Sequence, residues 1–189
     1  MKRAIALVSV MLMFVSCNVA NQVLGTYQLT QCKYEYKSIS GLSLGGVQVQ
    51  NNPLAAAGLL TAFASPNGTL PLDFTLNLDV KNPGTQAAIL NGLNYILEID
   101  GNEMTQGVVN NQLQIGAGQT NVLPITMGFD LKQVLKGQSL ESIKNLAFNF
   151  AGIGSGSSQV TVKLKPNFLV GGAVIPAPAY IPVSFTLKK

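Results

Sequence analysis

Between residues 72 and 80 the apolar side chains fall on every second position. Leu72, Phe74, Leu76, Leu78 and Val80 alternate with Asp73, Thr75, Asn77 and Asp79. A period of two describes a strand with one buried face and one wet face. Asn82-Pro83-Gly84 stops it, because proline cannot donate to a ladder and glycine permits a tight turn. Such a strand needs antiparallel partners, and alternating segments recur on both sides of it. Tyr34 and Tyr36 alternate with Lys33, Glu35 and Lys37, and Ile39, Leu42, Leu44, Val47 and Val49 extend the pattern past a bulge or bend at Gly45-Gly46. Residues 86–91 and 93–100 read as strand, and Asp100-Gly101-Asn102 is a hairpin signal into 103–109. Leu113 and Ile115 precede a turn at 116–118, and 122–129 is another strand. Asp130 is placed to cap a short helix carrying Leu131, Val134 and Leu135, with Gly137 as its stop. Ser139 is placed to cap a second helix with Leu140, Ile143, Leu146 and Ala147 on one side. Two more strands, 159–165 and 180–187, follow a glycine-rich connector at 152–158. Seven or eight short strands with frequent turns predict a mainly β fold, a two-sheet antiparallel sandwich with one to three short helices.

One segment breaks the period of two. Asn52-Pro53 is a helix start, and the apolar stretch near 53–64 carries Leu54, Leu59, Leu60 and Phe63 among alanines. It has no charge, although a surface helix normally keeps a polar outer face. Its length falls short of a bilayer. Three readings stay open: a plug over a sandwich end, an apolar binding surface formed by Leu54, Leu59, Leu60 and Phe63, or a disordered loop.

The start of the chain has a different pattern again. Lys2 and Arg3 precede an apolar run over 4–15, too short to span a bilayer but suited to a signal-peptide core. Phe14-Val15-Ser16-Cys17 resembles the lipobox of bacterial lipoproteins, which implies cleavage before Cys17 and acylation of that cysteine. An ordinary secretory signal would leave Cys17 incidental; the tether is the reading we adopt. The chain then divides into a signal peptide (1–16), a lipid-anchored flexible spacer (17–31) and a sandwich domain (32–189). The spacer lacks the acidic cluster that follows the cysteine in many surface-exported lipoproteins of the Bacteroidota kind. The expected location is therefore the bacterial envelope, on the periplasmic face of the outer membrane.

Composition narrows the chemistry. The chain has a net charge of +4 but only 11% charged residues. Beyond Arg3 there is no arginine, the lysines are scattered, and no guanidinium fork could grip phosphate, so nucleic acid is not an expected partner. With no histidine there is no Ser-His-Asp or Cys-His arrangement and no imidazole metal ligand. Cys32 is expected to be a buried apolar residue, since nothing is present to activate it. Asp73 and Asp79 share a strand face but stand roughly 20 Å apart, too far for an acid–base pair. Asp100-Gly101-Asn102-Glu103 holds only part of a calcium loop, and the 152–158 glycines lack the Lys-Ser/Thr of a phosphate loop. Neither a catalytic site, a metal site nor a cofactor is expected.

A resemblance adds to this reading. The run Leu72-Asp73-Phe74-Thr75-Leu76-Asn77-Leu78-Asp79-Val80-Lys81-Asn82-Pro83 is followed by Gly92-Leu93-Asn94-Tyr95, Ile99-Asp100-Gly101 and Gln106-Gly107. Together these resemble the water-stress and hypersensitive-response (WHy) domain of the late embryogenesis abundant group 2 proteins. The likeness covers 70–136 and the last strand. It implies an immunoglobulin- or fibronectin-III-like sandwich, no enzyme activity and a link to stress tolerance, and it carries over no functional residue. The expected function is a non-enzymatic, lipid-anchored envelope protein serving as a binding or structural module. The alternative is a periplasmic carrier of an apolar ligand or lipid. Its partners would be the membrane, through the anchor, and an envelope protein or apolar ligand.

Overall fold

The computed structural model of the chain describes residues 28–49, 68–150, 155–170 and 172–187. Two antiparallel sheets face each other, as the alternation predicts. The first contains β1 (Lys33–Leu44), β2 (Val47–Gln48), β3 (Pro71–Lys81) and β6 (Thr120–Asp130) in the order β2-β1-β3-β6. The second contains β4 (Ala88–Ile99), β5 (Asn102–Ile115), β7 (Ser158–Val170), β8 (Ala173–Pro176) and β9 (Ile181–Leu187). Its order is β5-β4-β7; β9 pairs with β7 over residues 158–164 and β8 pairs with it over 167–170. Two helices, α1 (Leu131–Val134) and α2 (Leu140–Phe150), join β6 to β7.

The core is the set of inward side chains that the period of two selects. Leu72, Leu76 and Leu78 of β3 are fully buried, as are Leu93, Leu97 and Ile99 of β4 and Val162 and Leu164 of β7. Between them, outward, Asn77 donates to Ser38 and Ser40, Thr75 shares a hydrogen bond with Thr126, and Asp79 pairs with Lys37 at 2.9 Å. α2 lays Ile143, Leu146, Ala147 and Phe150 onto the core, and the Phe150 ring meets Phe74 at 5.0 Å.

The turns follow their residues. Asp100 (φ 51) and Gly101 (φ 78) make the two-residue hairpin turn between β4 and β5 that an Asp-Gly pair favours. Gly45-Gly46 is not a bulge or bend but the hairpin turn between β1 and β2, with φ of 59 and 78. The expected break at residue 92 is absent: β4 runs on through it, and the register shifts between Asn91 and Leu93. Gly92 allows this at φ +91, where a Cβ would stand 2.6 Å from the Val109 carbonyl oxygen. Asp130 caps α1, accepting from Lys132 N at 2.9 Å and also from Leu70 N at 3.0 Å. Ser139 Oγ accepts from Ser142 N at 3.1 Å at the start of α2. α1 is shorter than the pattern implies, because Leu135 already leaves helical geometry (φ −95, ψ 28).

The registers define two ends of the sandwich. At the lower end Lys33 lies opposite Lys81, Lys81 opposite Thr120, and Ala88 opposite Ile115. At the upper end Leu44 lies opposite Leu72, Pro71 opposite Asp130, and Ile99 opposite both Asn102 and Val160. Both helices sit at the upper end. Part of the stretch the sequence reads as spacer belongs to the fold at the lower end: residues 28–31 form a helical turn with Leu29 fully buried.

Candidate functional site

Cys17 and the candidate apolar surface, Leu54, Leu59, Leu60 and Phe63, lie outside the described residues, as does the proposed helix near 53–64. The flanks of that segment are held at the upper end. Val49 is buried and donates to the Leu42 carbonyl at 3.0 Å, and Leu70 is fully buried against the Asp130 cap. Asp73 and Asp79 stand on the outer face of β3, six positions apart along one strand, as expected. Among the described residues no three His, Cys, Asp or Glu side chains cluster as a metal site.

Cys32 behaves as a buried apolar group. It is 8% exposed and its thiol donates to the Gln28 carbonyl at 3.4 Å. Burial pushes its pKa from 9.0 up to about 11, so the thiolate that would act as nucleophile is suppressed at neutral pH. The nearby Tyr34 hydroxyl is buried without a hydrogen-bond partner. Burial first, and the charge on Cys32 second, drive its pKa above the ordinary 10.0. Both groups therefore hold their protons in the folded state at pH values where the unfolded chain releases them. The contribution of Cys32 to stability is complete below about pH 9 and is lost as pH rises from about 9 through about 11, whereas that of Tyr34 is lost only above about pH 10. We expect a melting temperature that falls through this range. Cys32→Ala should reduce the fall, and an unchanged alkaline profile in that variant would show the thiol has no such role.

Among the described residues, one highly connected polar side chain is Asn82, which sequence reasoning used only as a strand stop. Asn82 is fully buried. Its Nδ2 donates to the carbonyls of Gln86 (2.7 Å), Ile115 (3.0 Å) and Gly116 (3.2 Å), and its Oδ1 accepts from Gly84 N at 2.9 Å. One amide thus ties the end of β3 to the start of β4 and the end of β5. Gln28 packs over the same loop, where a Cβ on Gly84 would strike its side chain. The signal for this role was an Asn directly before a proline at the end of a well-patterned strand.

Among the described residues, concavities open to the outside of the sandwich. One of about 320 Å³ lies between the β4–β5 turn and α2, lined by Asp100, Asn102, Gln138, Ser142, Asn145 and Asn149 over Leu135 and Leu146. A second, about 330 Å³, runs between β5 and β6. A third, about 230 Å³, lies beside Tyr95 and Tyr180. The first is a surface of amides, one hydroxyl and the Asp100 carboxylate, able to hydrogen-bond a polar partner.

The element that the sequence reading missed is the β7–β8 hairpin. β7 continues beyond the expected residue 165 to Val170, and Ala173–Pro176 returns against it. The Gly171-Gly172 pair between two apolar runs was the available signal, since such a pair favours a hairpin turn.

No family model matches the chain, and no curated protein matches it. Among solved structures, one similar to it is the crystal structure of a protein from Archaeoglobus fulgidus (11% identity, 84% of this chain and 94% of that one, TM-score 0.38). Another is a solution structure from Arabidopsis thaliana (11% identity, 66% and 74% coverage, TM-score 0.44). A third is the solution structure of a candidate late embryogenesis abundant (LEA) protein (12% identity, 97% and 86% coverage, TM-score 0.39).

Proposed function

We propose that this chain is a lipid-anchored, non-enzymatic module of a bacterial cell envelope, tethered through Cys17 and presenting its sandwich surface to an envelope partner. The observation that carries the reading is the sequence Phe14-Val15-Ser16-Cys17 behind a basic and apolar leader. The non-enzymatic part is supported by the absence of histidine and by the protonated, buried Cys32. The likeness of residues 70–136 to the WHy domain adds a role in tolerating water stress. The carrier reading draws less support, because the leucines between the sheets are fully buried and the described concavities open outward.

Acylation at Cys17 holds the protein on a membrane without a spanning helix, and several acyl chains grip far more firmly than one. We expect Cys17→Ala to block processing or to release the protein into the soluble fraction. Processing and membrane retention unchanged by Cys17→Ala would overturn the anchor.

A further inference from the structure

We propose that the β7–β8 hairpin is a second membrane contact, an apolar tip that rests in the headgroup layer of an anionic bilayer beside the lipid anchor. The inference deepens the proposed anchoring at Cys17 and rests on it for orientation.

The hairpin is unusual in being apolar and uncovered at once. All four residues of β8, Ala173-Val174-Ile175-Pro176, are exposed, so neither face of this strand is buried. Val174 is 60% exposed, Ile175 48% and the nearby Tyr180 40%. No charged residue occurs between Lys165 and Lys188. A charge-free strand with both faces in water, ending in prolines, is a poor edge for a soluble domain. It suits a surface that exchanges water for lipid. Lys165 stands with its Nζ 5.3 Å above the Tyr180 ring. A tyrosine with a lysine beside it is the pairing expected at the level of lipid headgroups, where one end of each side chain is apolar and the other wet.

Three features commit this surface to a bilayer. First, its place: β7 pairs Val160 with Ile99 at the upper end and Pro166 with Leu93 further down, so 167–170 run on toward the lower end. That is the end where Gln28 packs over the 82–84 loop. The ten residues 18–27 separate it from Cys17. Even fully extended they reach only about 35 Å, so an acylated Cys17 keeps the lower end near the membrane. Second, its charge: Lys165, opposite Asn94, lies near the middle of the sandwich, and Lys33 and Lys81 lie at its lower end. The nearest acids, Glu35 and Asp79, are two residues further up, and Asp79 is already paired with Lys37. Asp73, Glu98, Asp100, Glu103, Asp130 and Glu141 all stand in the upper half, with Lys132, Lys136 and Lys144 among them. The lower end is therefore the one an anionic lipid surface attracts. Third, its chemistry: exposed aliphatic side chains beside lysines match acyl chains beneath phosphate.

The test uses the chain from residue 17 onward with Cys17→Ser, which carries no lipid and retains every described contact, all of which lie within 28–187. It is sedimented with vesicles of phosphatidylethanolamine and phosphatidylglycerol, and separately with phosphatidylcholine alone. We expect binding to the anionic vesicles, weakened by salt and by Lys33→Glu with Lys81→Glu. Val174→Asp with Ile175→Asp should lower it roughly tenfold or more, given the apolar area removed from lipid. Thr75→Asp, on the outer face of β3, should leave it unchanged. The double Asp variant alters only exposed positions, so its melting curve should match the parent. Absence of vesicle binding, or binding indifferent to the double variant, would overturn the hairpin contact. The mass of the native, acylated chain would still decide Cys17 separately. A concentration-dependent dimer that the double variant splits, without vesicle binding, would also overturn it and make the hairpin an interface between copies.

Discussion

Leu76→Asp should unfold the domain, whereas Thr75→Asp, one residue away, should leave it folded. Leu76 is fully buried between the sheets, opposite Ile125 of β6 and Ile39 of β1. The aspartate would forfeit about 2–3 kcal/mol of apolar burial. It would also place an unpaired carboxylate where no donor faces it, at a cost of several kcal/mol more. The sum approaches or exceeds the roughly 5–15 kcal/mol by which a domain is stable. Thr75 points the other way, and its hydroxyl shares an exposed hydrogen bond with Thr126 at 3.1 Å. Its replacement should cost about 0.5 kcal/mol, as for other surface changes. Urea unfolding of the two variants checks this. Equal damage at both positions would mean that the two faces of β3 are equally covered and that the sandwich arrangement is wrong.

Asn82→Ala should be the most damaging truncation of a polar side chain. The change removes two N–H donors, which three carbonyls share, and one acceptor at a fully buried position. It takes a donor from the carbonyls of Gln86 and Ile115 and the acceptor from the amide of Gly84, while the Gly116 carbonyl keeps its bond from Gln119 N at 3.1 Å. At about 1 kcal/mol for each hydrogen bond, and more for a group left dry and unpaired, the loss should reach about 3 kcal/mol or more. Asn82→Asp should do no better although it keeps the shape, because a carboxylate offers the three carbonyls no donor. Denaturant midpoints measure both. A variant within about 0.5 kcal/mol of the parent would show that water replaces the amide and that the lower end of the sandwich is not tied by it.

What the sequence made legible were the elements whose residues decide their own geometry. The alternation in β3, the Asp100-Gly101 turn and the caps at Asp130 and Ser139 are local devices, and each is present. Features settled between distant segments were less visible. Asn91-Gly92 looked like the end of a strand because the bulge that carries β4 through it depends on the Val109 backbone across the sheet. Leu29 sits in a polar stretch without period, and only the closed end of the sandwich explains its burial. β8 was hidden because its glycines and prolines read as connector and its pairing partner is an overlong β7. Asn82 looked like punctuation, since its acceptors on 115 and 116 are far along the chain.

The anchor is the claim on which the functional account turns, and the intact mass of the mature protein tests it most directly. The account predicts a chain that begins at Cys17 and carries a mass increment of several acyl chains on that residue. An unmodified chain beginning beyond residue 17 would contradict it.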